Sequence, residues 1–402
     1  MTDYLARYAA TMMNTFGAPK RVFVRGQGAL LWDDEGRQYL DLLGGLAVNA
    51  LGHAHPVLIA AIADQLATLG HISNFFASPP QIELGERLAA MATANAPHTP
   101  AKVFFTNSGT EANEVAFKIS RRAHAVDPGR PGRTRLVAME GSFHGRTLGS
   151  LAVTHHLPYR EPFEPLPGDV TFVPFGDLAA LGRAVDDTVA AVIIEPIQGE
   201  SGVVVPPQDF LGGAREIADS VGALLWLDEV QTGIGRCGHW LAHLPSGVTA
   251  DLVTVAKGLG GGFPVGACIA LGTAADALQP GSHGNTFGGN PVAAAASLAV
   301  LSHLTEQDVL EHVRLAGDRL ANRIIGLGHP AIDTVRGAGL LRGIVLTVPL
   351  AAAAAEAALD AGFIINAPRP TVLRLAPPLI ITDAELDTFV DALPVLLEAA
   401  GA

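Results

Sequence analysis

Two residues of this chain stand where amine chemistry could be built. Asp228 closes the apolar run ALLWLD (223–228), and Lys257 follows DLVTVA (251–256) and opens the glycine-rich loop GLGGGFPVGA. Ligands in open α/β sheets bind beyond the carboxyl ends of the strands, so both side chains lie where a ligand would. Desolvation there lowers an amine's pKa and raises its neutral, nucleophilic fraction. A carboxylate in the same place needs a cation or a donor. The pair suits a Schiff-base lysine beside a carboxylate that keeps a pyridine nitrogen protonated. A structural Asp–Lys ion pair explains the same two residues equally well.

Two further segments carry groups of interest. In FFTNSGTEANEVAFK, a strand runs into Ser108, Gly109 and Thr110 at the start of a helix. Small residues at a helix N-terminus let free N–H groups and the dipole meet a phosphate, although a plain N-cap accounts for Ser108 or Thr110 as well. No Gly-Lys-Ser/Thr follows, so this is not a Walker motif. In EGSFHGRTLGS, Phe143 offers a flat apolar face and Arg146 a fork that matches a carboxylate. An isolated arginine is otherwise a surface residue, and His144 reads as a packed, satisfied histidine.

Runs at 103–106, 135–139, 170–175, 190–195, 223–228, 251–256 and 267–271 must position these groups. They are apolar throughout rather than alternating, as strands covered on both faces are. Ala112, Val115, Ala116 and Ile119 keep helical spacing between two of them. The pattern predicts an α/β fold with a mostly parallel sheet over about 70–285. Residues 20–48 read as short antiparallel strands with a turn at DDEGR. The remainder reads as two helices over 291–325, strands and a helix (350–361) over 335–381, and a closing helix at 383–400. The two ends of the chain are expected to share a smaller domain.

Composition excludes several classes. A net charge of −13 without a basic block argues against nucleic acid, which needs clustered Lys and Arg. Two cysteines, Cys237 and Cys268, make neither a disulfide framework nor a metal set. The first residues lack the apolar core of a signal peptide, and no apolar run is long enough for a membrane span. A cytoplasmic enzyme is the expectation.

The segments NSGTEANE, FHGRT, EPIQGESG, LDEVQTGIGR, AKGLGGGFPVGA, HGNTFGGNP and LRLAPPL occur in one order along the chain. Together they resemble the class III (ornithine-type) aminotransferases of pyridoxal-phosphate fold type I, from about residue 15 to the end. The resemblance implies a large domain at 70–286 and a smaller α+β domain from 1–69 and 287–402. It implies pyridoxal 5′-phosphate as cofactor and a homodimer with shared active sites. Lys257 resembles the Schiff-base lysine, Asp228 the partner of the ring nitrogen, and Gln231 the donor to the phenolic oxygen. Phe143 is placed on the ring, Ser108, Gly109 and Thr110 on the phosphate, and Thr286 on the phosphate from the neighbouring subunit. Arg146 and Asn285 are placed on the substrate, Arg374 on the α-carboxylate of 2-oxoglutarate or glutamate, and Glu200 as the gate over Arg374.

The implied reaction moves the terminal amine of N2-acetyl-L-ornithine to 2-oxoglutarate, a step of arginine biosynthesis. Ornithine, succinylornithine, N-succinyl-diaminopimelate and 4-aminobutyrate are the rival donors, and a non-catalytic pyridoxal-phosphate-binding dimer is the rival of another class. The chain departs from the family pattern at Asn285, where Ser or Thr is frequent, and at Phe76 and Ala77.

Overall fold

The computed structural model describes residues 3–125 and 132–402. Residues 1–2, part of the N-terminus expected to lack a leader and of the segment 1–69, lie outside the described residues, as do 126–131 of the segment 70–286.

Seven strands form the central sheet, in the spatial order Ala101–Thr106, Gly266–Leu271, Leu252–Val255, Leu224–Asp228, Val189–Ile194, Arg135–Met139 and Asp169–Val173. Neighbours from Leu252–Val255 onward pair in parallel. Gly266–Leu271 runs antiparallel to both its neighbours. Ala101–Thr106 therefore points the same way as the parallel set. Every residue of Val189–Ile194 and Leu224–Asp228 is buried, which is why these runs do not alternate: helices cover both faces. Each fully buried aliphatic side chain contributes roughly 1.5–3 kcal/mol, so the sheet makes a stiff platform.

That polarity gathers the loops. Thr106, Met139, Ile194, Asp228 and Val255 all end at one edge of the sheet, and the segments carrying Ser108, Phe143, Glu195, Gln231 and Lys257 leave from there. Helix Gly109–Ala125 buries Ala112, Val115, Ala116 and Ile119, the predicted stripe.

Phe23–Gln27, Leu30–Asp33 and Gln38–Asp41 form an antiparallel meander, and Phe363–Ile364 pairs in parallel with its last strand. Residues from opposite ends of the chain thus share one small sheet. A third sheet has the order Ile332–Ala338, Leu341–Leu346, Val372–Leu375 and Asn366–Arg369. In it Gly343 lies opposite Arg374. A Cβ on Gly343 would come within 2.9 Å of the Gly202 carbonyl, so its absence lets the 199–203 turn pack directly beside Arg374. Helices Pro291–Glu306, Val309–Gly326, Ala351–Asp360 and Asp383–Ala399 complete the fold, the last started by a Thr382/Glu385 capping box. Among the described residues no helix is long and apolar enough to cross a membrane.

Candidate active site

A cavity of about 450 Å³ opens at the shared strand edge, lined among others by Ser108, Gly109, Thr110, Phe143, Arg146, Asp228, Gln231 and Lys257. Its size is ordinary for a cofactor pocket. Eight residues expected at the site therefore converge in one place.

Asp228 is only 3% exposed, and three contacts hold its oxygens, two on Oδ2 and one on Oδ1. Oδ2 accepts from Asn113 Nδ2 at 2.8 Å and pairs with His144 Nδ1 at 2.7 Å, while Oδ1 accepts from the Val230 N–H at 3.0 Å. Asn113 also donates to the His144 carbonyl at 2.6 Å, so one amide ties both partners together. Asp228 spends its oxygens here rather than on Lys257, and the simple Asp–Lys ion pair is not what the fold builds. His144, read from sequence as a packed, satisfied residue, is packed, but only its Nδ1 is satisfied, by the carboxylate; its buried Nε2 has no partner in the structure.

Lys257 sits at the turn after Leu252–Val255 with φ of 43°. A non-glycine residue in this left-handed region carries strain of about 1–3 kcal/mol, and such strain concentrates at functional positions. Desolvation pulls the ammonium down to about 8, against the opposing pull of Glu200, Asp228 and Glu195. At neutral pH roughly a tenth is thus the free amine, far more than for an exposed lysine.

Glu195, just past Val189–Ile194, was not singled out from sequence although it opens EPIQGESG. It lines the cavity and accepts from the Phe143 N–H at 3.2 Å. Burial first, then Asp228, raise its carboxyl well above the ordinary range. The legible signal was an acid ending an unbroken apolar strand.

Glu200 and Arg374 form a close pair. Arg374 Nη1 donates to Glu200 Oε1 at 2.6 Å and to Gln231 Oε1 at 3.2 Å, and Gln231 Nε2 donates to Glu200 Oε1 at 3.4 Å. Burial pushes the Glu200 carboxyl up, but Arg374 and then Lys257 hold it below its usual value. Gln231 is therefore joined to this pair while lining the cavity.

The other expected residues divide. Ser108 Oγ accepts from the Glu111 N–H at 3.3 Å, as an N-cap does. Thr110 Oγ1 accepts from the Arg146 and Thr147 N–H groups, each at 3.2 Å. Gly109 is small for a packing reason, since a Cβ there would lie 2.6 Å from Val230. Arg146 is exposed, its guanidinium 3.4 Å above the Tyr159 ring centroid and 5.7 Å from that of Phe143. Asn285 and Thr286 line a separate cavity of about 640 Å³ in the same chain. Asn285 donates to the Phe105 carbonyl and accepts from the Gly288 N–H, so within one chain neither reaches the Lys257 cavity.

A mostly parallel sheet whose strand ends offer a desolvated lysine, an aspartate held by three hydrogen-bond contacts and a helix N-terminus has the features of an α/β enzyme site. The class-III aminotransferase family model matches residues 12–397. An acetylornithine aminotransferase of Mycolicibacterium smegmatis is 56% identical over 395 residues, 98% of each chain. Among solved structures, the N-acetylornithine aminotransferase of Stenotrophomonas maltophilia superposes with a TM-score of 0.83 at 36% identity, covering 98% of each chain. The ornithine aminotransferase of Toxoplasma gondii does so at 0.92 and 29%, covering 99% of this chain and 94% of that one. The chain belongs to the class III aminotransferases, a family of pyridoxal-phosphate-dependent transferases.

Proposed function

We propose that this enzyme transfers the terminal amine of N2-acetyl-L-ornithine to 2-oxoglutarate, giving N-acetyl-L-glutamate 5-semialdehyde and L-glutamate. The observation that carries this is the Glu200–Arg374 pair, with Glu200 close enough to Lys257 to bias its charge. The donor presents an amine far from its carboxylate, whereas 2-oxoglutarate has a carboxylate beside its reacting carbon. A permanently free arginine next to the lysine would favour the second and misplace the first. A carboxylate that masks it in one half-reaction and leaves it in the other lets one cavity serve both. The name of the M. smegmatis relative supports the donor.

The residues present fit pyridoxal 5′-phosphate. Lys257 Nζ, lowered toward neutrality, would hold it covalently, and Asp228, fixed by Asn113 and His144, would face its ring nitrogen. Phe143 would lie on the ring, Gln231 near the phenolic oxygen, and the helix start at Ser108, Gly109 and Thr110 at the phosphate. When bound, this group supplies an electron sink for charge developing at the carbon next to the reacting nitrogen. As a free amine, Lys257 Nζ would take the proton from the substrate carbon next to the reacting nitrogen, and as an ammonium would return it. Asp228 would be held in one orientation by Asn113, His144 and the Val230 N–H. Arg146 takes the donor's distal carboxylate and Arg374 the α-carboxylate of the acceptor.

In the same reading, residues 70–286 form the large unit around the cavity, and 1–69 with 287–402 the smaller unit that brings Arg374 to it. A second copy of the chain completes the site by offering Thr286 and Asn285. Phe75, 93% exposed on the wall of their cavity, and the neighbouring Phe287, 60% exposed, supply the kind of apolar surface that association covers.

The test is glutamate formation from 2-oxoglutarate with each candidate amine in turn. N2-acetylornithine is expected to give the highest kcat/KM, ahead of ornithine, succinylornithine, N-succinyl-diaminopimelate and 4-aminobutyrate. Lys257→Ala is expected to remove both turnover and the visible absorption of lysine-bound cofactor. Retention of either would overturn the site.

A further inference from the structure

Arg374 is 1% exposed and among the largest fully buried side chains of the chain. A guanidinium cannot shed its charge in a protein, so each buried N–H calls for an acceptor. Nη1 has two, Glu200 and Gln231. Nη2 has none in the structure. Nε donates to a residue that no motif contains: Asn366 Oδ1, at 3.1 Å.

This third contact differs in origin from the other two. Asn366 is the direct cross-strand partner of Arg374 in the antiparallel pair of Asn366–Arg369 with Val372–Leu375. Directly opposed residues of a pair project from the same face of the sheet. The contact is therefore written into the sheet register, whereas Glu200 reaches Arg374 from a turn on another element. Departure of Glu200 would leave the Nε anchor intact. The edge then offered is Nη1 with Nη2, two N–H groups side by side, the arrangement that meets a carboxylate bidentately.

We propose that Asn366 is a positioning residue for the acceptor half-reaction. It holds the Arg374 plane while Glu200 is displaced, so that the unpartnered Nη2 and the vacated Nη1 grip the two oxygens of one α-carboxylate. This rests on the acceptor role given to Arg374 above and adds the residue that makes the role possible without repositioning.

Asn366→Ala in the holoenzyme, assayed in separate half-reactions, provides the test. The KM for 2-oxoglutarate is expected to rise about tenfold or more, the range for losing a hydrogen bond to a charged group, with donor KM and kcat within about twofold. Calorimetric binding of glutarate, an unreactive dicarboxylate of the same chain length, should weaken in parallel. In a Glu200→Ala background the loss should persist, since Glu200 is already displaced when the acceptor binds and Asn366 and Gln231 hold Arg374 in either case. Asn366→Gln, which keeps the amide but displaces its oxygen, should show the same split if the alanine variant does not fold. Unchanged 2-oxoglutarate KM and glutarate affinity, with Arg374→Ala still crippling the acceptor step, would overturn the role of Asn366 alone. If Arg374→Ala also leaves the acceptor step unchanged, the acceptor reading falls and this proposal with it.

Discussion

The two arginines of the candidate site are held in opposite ways. Arg374 sits inside a strand, 1% exposed, with its guanidinium tied to Asn366, Glu200 and Gln231. Arg146 projects from a loop, exposed, and lies on the face of Tyr159. Its backbone is fixed through Thr110, but its guanidinium has no carboxylate partner among the described residues. A desolvated, neutralised cation gives a fixed reading position that must be unmasked before use. A solvated cation on an aromatic platform is ready at once and can follow substrates of different length. Under the proposed function, a carboxylate beside the reacting carbon and one far from the reacting amine call for these two kinds of recognition.

Arg374→Ala is the strongest way to break that comparison. The two N–H groups of Arg374 would make two hydrogen bonds to one charged carboxylate, each worth about 1.5–3 kcal/mol, together roughly a hundredfold or more at about 1.4 kcal/mol per decade. The acceptor half-reaction should lose about that much in kcat/KM. The donor half-reaction should lose less, because Glu200 then remains near Lys257 without its cation. Single-turnover rates for each half-reaction check this. Equal losses in both would mean that Arg374 is structural.

Much of this arrangement could be read from the chain, and the misses have physical causes. Asp228 and Lys257 were visible because strand ends in a parallel sheet share one edge, and unbroken apolar runs reveal such strands. The partners of Asp228 were not visible. Asn113 lies on the helix after the first strand of the sheet and His144 on the loop after the second strand in sequence, and only strand order brings them to one carboxylate. Asn366 was hidden for a further reason. The register between its strand and that of Arg374 shifts before Arg369, so counting along the sequence does not tell which residues face each other. The helix start at Ser108–Thr110 illustrates the limit of motif reading in another way. Its small residues have local duties in capping Glu111, anchoring the 146–147 loop and packing on Val230, whatever else they bind.

Arg146→Ala sharpens the comparison from the other side. A hydrogen bond to a charged group is worth about 1.5–3 kcal/mol, so donor kcat/KM should fall by roughly tenfold to a hundredfold while 2-oxoglutarate KM changes little. Arg146→Lys should recover only part, because an ammonium keeps the charge but loses the planar fork and the stacking. Steady-state kinetics with N2-acetylornithine, and with a terminal amine that lacks the distal carboxylate, separate the effects. The second donor should be indifferent to the substitution.

The smallest effect belongs to Tyr159, and it tests whether the platform matters. At 3.4 Å from the ring centroid the guanidinium rests on the π face, and at exposed sites such contact is worth about 0.5–1 kcal/mol. Tyr159→Ala should therefore raise the donor KM by about two- to fivefold without moving kcat. Tyr159→Phe keeps the face and should match the parent enzyme, since the hydroxyl plays no part in the stacking. If alanine and phenylalanine behave alike, Arg146 is oriented by its loop and Thr110 alone. If Tyr159→Ala raises the acceptor KM as much as the donor KM, the two arginines do not divide the substrates, and the contrast between an adaptable and a gated reader fails at its adaptable end.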